Sequence, residues 1–392
     1  MPLLAVVLTS LLATANGAPP SAPTKAPAQS DSVACKGEQQ PQAKADDAEP
    51  PQTPEQKAAA AAYQDYMRAL VQSLSKSPSP RDRALALQMG FFADVWDSHQ
   101  STPAEKAQRG TVLRAAAEAA PDDVLVQWLW VRANPEESGC NAAKPCVHRL
   151  EAVARMQPDN GSAWVPLFNA KWKAKDIPAA ETVLATMARA SYFDEQQGTA
   201  VKAWMEMFHR YPIPESAFVP GSPEANLDQQ TIEFSNSISL AAAIAMPFLG
   251  DTVDACRRER HPDASPQRFR DCAQVGRSML AHATSLIDRQ IGRALLRVSG
   301  QATAVDIANA RVQDWQYEQW ENLLPGLSEN DLGYLKENAA DWMDTGDEIK
   351  VLQHQMQRKG IPLTPPADWQ PRGRDGKPIS PLGEDPAPAH QP

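Results

Sequence analysis

The central part of the chain lacks the sequence patterns that identify β-strands, and it has little glycine. Between residues 58 and 357 we find no segment that alternates apolar and polar residues, and no Asn-Gly or Asp-Gly pair that joins two such segments. Apolar residues instead recur at spacings of three and four, the period of an amphipathic helix. The clearest stripe runs from Met279 to Val298, and Gly300 follows it where a helix stop is expected. A second stripe comprises Ala203, Trp204, Met207 and Phe208. The sequence therefore predicts an all-α fold.

No apolar run is long enough for a permanent membrane span. The run from Leu3 to Leu12 is about half the ~20 residues that a transmembrane helix needs. Small residues follow it, and cleavage near Ala15 or Gly17 fits the small-x-small rule. No Lys or Arg precedes the run, which leaves open a natural start further upstream; a buried N-terminal helix is the alternative. We interpret residues 1–17 as a signal peptide and expect a periplasmic or secreted protein.

Positive charge is also in short supply. The chain has 38 Lys and Arg against 48 Asp and Glu, a net charge of −10. An acidic surface repels the phosphate backbone of DNA and RNA, so we expect no nucleic-acid partner.

Proline divides the chain into three parts. Eighteen of the 35 prolines lie in residues 1–56 and 361–392, where large apolar side chains are rare. Such segments cannot bury enough surface to offset the entropy of ordering them. We therefore predict a disordered Pro/Ala/Gln-rich leader over residues 18–57 and a disordered Pro-rich tail over residues 358–392, with helical structure between them.

The helical part shows signs of internal repetition. Pro121 and Pro158 each follow a helix-like run and open a new apolar segment, and they are 37 residues apart. A period in the thirties is typical of helix-pair repeats. Residues 162–194 form the best single unit, with Trp164 and Leu167 on a first helix and a turn near Pro178 before a second.

This unit resembles a tetratricopeptide repeat. Trp164 and Leu167 match the early Trp and Leu of that motif, Ala180 its small residue at the helix crossing, and Leu184 its large residue four positions later. The resemblance is best over residues 162–194 and weaker over 80–158. It implies a solenoid of paired helices over residues 58–214, followed by an irregular helical lobe over residues 215–357.

Tryptophans recur along the predicted helices. They either line an aromatic binding groove or fill the spaces between helices, and aromatic residues at helical spacing usually belong to a core. The residues concerned are Trp96, Trp128, Trp130, Trp164, Trp172 and Trp204.

Cysteine is scarce, but its placement is informative. An exported protein meets an oxidising compartment, where thiols tend to pair. Cys140 and Cys146 flank a short helix–helix junction, and Cys256 and Cys272 flank a polar loop. We predict disulfides Cys140–Cys146 and Cys256–Cys272, and leave Cys35 as a free or intermolecular thiol.

A metal site is the alternative for one of these pairs. Cys140, Cys146 and His148 could supply three zinc ligands, but their spacing matches no standard zinc motif and a fourth ligand is not evident. Motifs for metalloproteases, serine hydrolases and nucleotide binding are missing as well. We therefore expect no metal and no cofactor.

One short stretch is similar to an enzyme motif. Residues 215–220 (Glu-Ser-Ala-Phe-Val-Pro) resemble the segment at the catalytic glutamate of soluble lytic transglycosylases. That resemblance implies a general acid at Glu215, in an apolar pocket that raises its pKa, and a peptidoglycan-cleaving activity.

Three functions remain open at this stage. The first, which we favour, is a non-enzymatic scaffold that binds another protein or peptide in the bacterial envelope through its helical surface. The second is the transglycosylase with Glu215 as its acid. The third is a structural envelope protein with no dedicated ligand. The sequence specifies neither the partner, nor the binding face, nor the oligomeric state.

Overall fold

A computed structural model of the protein describes residues 52–96, 102–132, 147–244, 249–323, 332–373 and 376–382. Within these ranges the regular structure is helical, with isolated bridges in place of strands, so the prediction of an all-α fold is confirmed. None of these helices has the length and apolar character that a membrane crossing requires. The predicted signal peptide 1–17, Cys35 and the pair Cys140–Cys146 lie outside the described residues.

The helices follow one another with short connections. In chain order they are α1 (Pro54–Ser75), α2 (Pro80–Trp96), α3 (Pro103–Ala119), α4 (Val124–Arg132), α5 (Val147–Met156), α6 (Gly161–Lys173), α7 (Ile177–Met187), α8 (Gln197–Arg210), α9 (Gln229–Ile244), α10 (Gly250–Ala255), α11 (Pro266–His282), α12 (Leu286–Ser299), α13 (Ala304–Leu323), α14 (Leu332–Thr345) and α15 (Glu348–Arg358). One-turn 3₁₀ helices lie at Glu215–Ala217 and Pro223–Asn226.

The chain divides into two compact units, residues 1–58 and 59–392. In the described part of the first unit, the Thr53 amide donates to Gln56 Oε1 at 2.8 Å, and the Gln56 amide donates to Thr53 Oγ1 at 3.2 Å. This reciprocal pair is a capping box, and Pro54 suits the first helical position because that position needs no N–H donor. The predicted leader 18–57 is therefore corrected at its end, since helix α1 begins at Pro54.

Side chains at the helix starts explain several boundaries in the second unit. The Asn160 side chain caps α6 by accepting from the Ser162 amide at 3.1 Å. Ser265 caps α11 in the same way, with Pro266 directly after it. Gly300 ends α12 with φ of 63°, a left-handed conformation that glycine adopts without steric penalty. The predicted stop at Gly300 is confirmed.

The predicted helix from Met279 to Val298 is wrong in one respect, because two helices share its apolar stripe. α11 ends at His282 and α12 begins at Leu286. The backbone between them is extended and bonds to a distant segment: Phe193 N donates to His282 O at 3.3 Å and Thr284 N donates to Phe193 O at 3.0 Å. Ser285 then caps α12. Contacts from about 90 residues away therefore interrupt a pattern that is continuous in the sequence.

The helices bury two main apolar clusters. The first core joins α1–α4 with α8, α9, α14 and α15, around the fully buried Trp204, Phe208 and Phe234. The second core joins α6 and α7 with α10–α12, around Phe168 and Phe193. Fully burying one such side chain contributes about 1.5–3 kcal/mol. Packing crosses the predicted boundary at residues 214 and 215, since each core contains helices from both sides of it.

Tryptophan belongs mainly to these interiors. Trp128, Trp130 and Trp204 are buried, while Trp164 and Trp172 are half-buried against the second core. This favours the space-filling role over a continuous aromatic groove. The side chain of Trp96 lies outside the described residues.

The C-terminal segment is the largest departure from the predictions. After α15, residues 361–373 and 376–382 follow a defined path over α13, and Leu382 is buried in a third apolar cluster with Leu280, Leu296 and Ala310. The prediction of disorder over residues 358–392 therefore does not hold for this stretch. This stretch has few apolar side chains to bury. Hydrogen bonds from side chains of α13 to its backbone hold it in place instead.

Candidate functional site

An open cavity of about 370 Å³ lies where three elements of the second unit meet. One wall is the end of the segment after α7, at Ala190 and Ser191. The second is the C-terminal half of α11, and the third is the first turns of α13, at Val305, Asp306 and Asn309. This volume lies near the lower end of the range for small-molecule pockets, roughly 300–1,000 Å³, and is large enough for a few side chains of a bound peptide.

The cavity combines an apolar residue at its edge with polar groups around it. Val305 lines the cavity and is 67% exposed, which makes it the most exposed of the large apolar side chains in the described part of the chain. Gln274, Asn309 and Ser191 also line it and are exposed. A solvent-facing apolar side chain beside a polar rim is the composition that protein-binding surfaces show.

An ion pair fixes two walls of the cavity relative to each other. Arg277 Nε on α11 lies 3.1 Å from both carboxylate oxygens of Asp306 on α13, and a second Arg277 nitrogen donates to Gln301 O at 2.9 Å. The two carboxylate oxygens share one N–H, and the second nitrogen's bond to Gln301 O fixes the orientation of the guanidinium. Burial raises the pKa of Asp306, but hydrogen bonds from the Thr303 amide and hydroxyl and the charge of Arg277 outweigh it and lower the pKa.

The same Asp306 completes a capping box at the start of α13. Its carboxylate accepts from the Thr303 amide and hydroxyl, both at 2.8 Å, while the Asp306 amide donates to Thr303 Oγ1 at 3.3 Å. The sequence T-x-x-D at 303–306 therefore positions the turn that carries Val305. On the opposite wall, Ser278 Oγ donates to Ala190 O at 3.0 Å and ties α11 to the segment after α7.

A buried polar junction lies directly behind the Ala190–Ser191 wall. Asn160 Nδ2 donates to Asp194 O at 2.8 Å, and the Asp194 amide donates back to Asn160 Oδ1 at 3.0 Å. The Asp194 carboxylate accepts from Thr284 Oγ1 at 3.2 Å. The Leu286 amide donates to the Glu348 carboxylate at 2.7 Å. Four separate chain segments are therefore linked by hydrogen bonds, next to the apolar contacts of Phe193 and Ala283 in the second core.

The carboxyl groups of this junction are held away from water. Burial raises the pKa of Asp288 to about 6, against the opposing effects of the Ser285 hydroxyl and the Arg132 charge. Burial also raises the pKa of Glu348 to about 7, and the nearby Asp288 and Asp347 add to that shift. The pKa of Asp194 is raised as well, chiefly by burial. Desolvation disfavours the charged form of each group.

Two arginines supply the counter-charge at the junction. Arg132, at the end of α4, forms an ion pair with Glu195, whose side chain is 1% exposed. Burial lowers the pKa of Arg132 to about 10 and that of Arg289 to about 10. The junction therefore sets four acidic side chains against two arginines, and these buried groups fix positions at the expense of desolvation.

The residues singled out by the sequence lie apart from the cavity. Cys256 and Cys272 are at bonding distance, with an S–S separation of 2.02 Å, in agreement with the predicted disulfide. His148 is exposed, and the described residues contain no group of His, Cys, Asp and Glu side chains that could hold a metal ion. Glu215 is exposed on the 3₁₀ turn Glu215–Ala217 rather than set in an apolar pocket, so its assignment as a general acid is withdrawn.

Sequence reasoning missed the cavity residues. The capping box at 303–306 was a readable signal for the start of α13 and for the exposed turn at Val305. Nothing local distinguishes Gln274 or Arg277 from other polar residues of an amphipathic helix, because their role depends on Asp306 in another helix.

Comparisons of the chain with protein-family models, with curated proteins and with solved structures found no match.

Proposed function

We propose that this protein is an exported, non-enzymatic binding module that holds a segment of another protein in the bacterial envelope. The observation that supports the proposal is the cavity beside the exposed Val305, where polar side chains surround an apolar residue on rigid helices. Binding sites built on helices hold their geometry better than those on free loops. The residues that line the cavity indicate the partner's chemistry. The partner segment should place one apolar side chain in the cavity and offer backbone groups to the polar side chains around it.

The helix pair α6–α7 supports a tetratricopeptide-like component of this architecture. The two helices pack against each other, and Ala180 and Leu184, which match the motif, are fully buried at their contact with the second core. α5 packs on α6 in turn, and α4 on α5. We propose that α4–α7 form the repeat-like part of the molecule, and that α11 covers α7 where a further repeat would stack.

Export to the periplasm or beyond is part of the same proposal. The Cys256–Cys272 pair is compatible with an oxidising compartment, where disulfides persist. The apolar run from Leu3 to Leu12 supplies the candidate signal.

In-cell chemical crosslinking tests this function. The mature protein is compared with Val305→Asp, and with Met343→Asp as a matched control, because Met343 is another exposed apolar helical residue, 37% exposed, and does not line the cavity. We expect one dominant envelope protein to be captured by the wild type and by Met343→Asp and lost from Val305→Asp. Equal capture by all three variants, or none by the wild type, would contradict the proposal.

A further inference from the structure

One face of α13 holds a proline-rich segment of the same chain, which ends in a turn where the Trp369 amide donates to Pro366 O at 3.2 Å. Arg311 donates from Nε to Trp369 O at 3.0 Å, and its terminal nitrogen donates to the carbonyls of Pro366 and Ala367 at 2.5 and 3.2 Å. One turn further along, Trp315 Nε1 donates to Pro362 O at 2.8 Å. These donors follow one line along the helix and all point to main-chain carbonyls.

The segment that they bind has a particular chemistry. Its sequence over residues 361–369 is IPLTPPADW, and its three prolines have no N–H to offer a neighbouring strand. Gln316 Nε2 adds a further bond, to Leu363 O at 3.0 Å. The side-chain donors of this face therefore bind main-chain carbonyls at two places, at Pro362 and Leu363 and again at the turn that begins at Pro366.

A single tryptophan anchors the end of the segment. The Trp369 ring meets Trp315 edge-on, with centroids 5.6 Å apart and planes at 77°. Its Nε1 donates to Glu318 Oε2 at 3.2 Å, and the Arg311 guanidinium lies 5.7 Å from its ring centroid. Aromatic anchors flanked by arginine are the side chains that most often dominate peptide and protein binding.

The bound segment lies on the surface rather than in a core. Pro362, Pro366 and Ala367 are exposed, and Leu363 and Trp369 are half-buried. The contacts therefore use one tryptophan and a set of main-chain carbonyls, which another proline-rich chain with the same turn could supply. The covalent link through α15 gives the segment of this chain a high effective concentration over the same face.

We propose that this face of α13, formed by Arg311, Trp315, Gln316 and Glu318, is a binding groove for a proline-rich peptide that forms a turn just before a tryptophan anchor. Residues 361–369 occupy it in cis and compete with a peptide of the same kind from a partner protein. The groove is separate from the cavity at Val305, so this inference does not rest on the proposed function.

Fluorescence anisotropy with a labelled peptide, IPLTPPADWQ, tests the groove on the full-length protein. Trp369→Ala removes the cis anchor, and we expect this variant to bind the peptide at least about tenfold more tightly than the wild type. Trp369→Phe keeps a ring but loses the bond to Glu318, and should fall between the two. A peptide with Ala in place of its Trp is the matched control and should not bind.

A second substitution shows whether the peptide occupies the inferred groove. Adding Arg311→Ala to Trp369→Ala removes the donors to three carbonyls, and should abolish peptide binding while circular dichroism shows the helical fold retained. Failure of Trp369→Ala and Trp369→Phe to bind the peptide, or undiminished binding after Arg311→Ala, would overturn the inference. Neither result bears on crosslinking at Val305, which tests the proposed function separately.

Discussion

The two sides of α13 differ in what covers them. On one side, Val305 and Asn309 border a cavity that no described residue fills. On the other, Arg311 and Trp315 are covered by the chain's own residues 361–369. The covered side offers donors to a chain that has few N–H groups, so an internal segment satisfies it. The open side offers an apolar residue and mixed polar groups, and we expect a foreign chain to bind there without displacing a segment of this chain, whereas on the covered side it must displace residues 361–369.

The largest expected loss of stability comes from removing the disulfide that holds α11, the helix on the open side. Replacing both Cys256 and Cys272 by serine removes a bridge across 16 positions, and should lower the free energy of unfolding by about 3 kcal/mol in the chain-entropy model. Cys272 lies in α11, which forms a cavity wall. Hydrogen exchange should therefore accelerate in α11 more than in residues 361–369. Unchanged unfolding by denaturant would show that the bridge does not form.

A smaller loss is expected on the covered side. Arg311→Ala removes the bonds to three carbonyls and should destabilise the protein by about 1–2 kcal/mol, because hydrogen bonds to a charged donor are among the stronger ones. Limited proteolysis should then cut within residues 361–369. Arg270→Ala is the control, since Arg270 is exposed and, among the described residues, its hydrogen bonds go to Gln267 in its own helix. Equal protection in both variants would show that Arg311 does not hold the segment.

pH should distinguish the two sides through the junction behind the cavity. Asp288 and Glu348 have folded-state pKa values of about 6 and about 7, above their ordinary values near 4. The folded state therefore binds more protons than the unfolded state between about pH 4 and 7, and stability contributed by the junction falls as pH rises through this window. Amides of residues 193–196 and 284–288 should lose protection between about pH 4 and 7, after correction for intrinsic exchange.

A pair of carboxyl variants sharpens that prediction. Asp314, paired with Arg293 between α12 and α13, also has a raised pKa of about 6, so it contributes to the global pH dependence. Asp288→Asn should remove part of the pH dependence at the junction, and Asp314→Asn should leave the junction unchanged. The same loss of pH dependence at residues 193–196 in both variants would contradict the assignment to Asp288.

The smallest change in stability accompanies the largest change in binding. Val305→Asp alters an exposed residue in the first turn of α13, where a negative charge is compatible with the helix dipole. We expect less than about 0.5 kcal/mol of change in thermal unfolding. A strongly destabilised variant would show that Val305 has a packing role and is not a free binding residue.

Local signals in the sequence predict much of the helical structure. The stripe of α8 and the stop at Gly300 depend on residues close in sequence, and the Cys256–Cys272 pair flanks a single loop. The break between α11 and α12 was not predicted, because the apolar stripe continues across it in the sequence. The hydrogen bonds of Phe193 to His282 and Thr284 keep the backbone extended there.

The same local signals do not predict the candidate site or the covered side of α13. Arg277 and Asp306 are 29 positions apart, and Trp369 lies in a segment whose composition predicts disorder. Both depend on which helices become neighbours. The pairing of α11 with α13, and of α13 with residues 361–369, decides that, and no local pattern in the sequence specifies it.

Site-specific photo-crosslinking in cells tests the contrast between the two sides of α13 most directly. A benzoylphenylalanine is placed at Val305 in one variant and at Trp315 in another, and the adducts are mapped by mass spectrometry. The account predicts an adduct from position 305 to one segment of another protein, and an internal adduct from position 315 to residues 361–369 of the same chain. An intermolecular adduct from position 315 together with none from position 305 would contradict it.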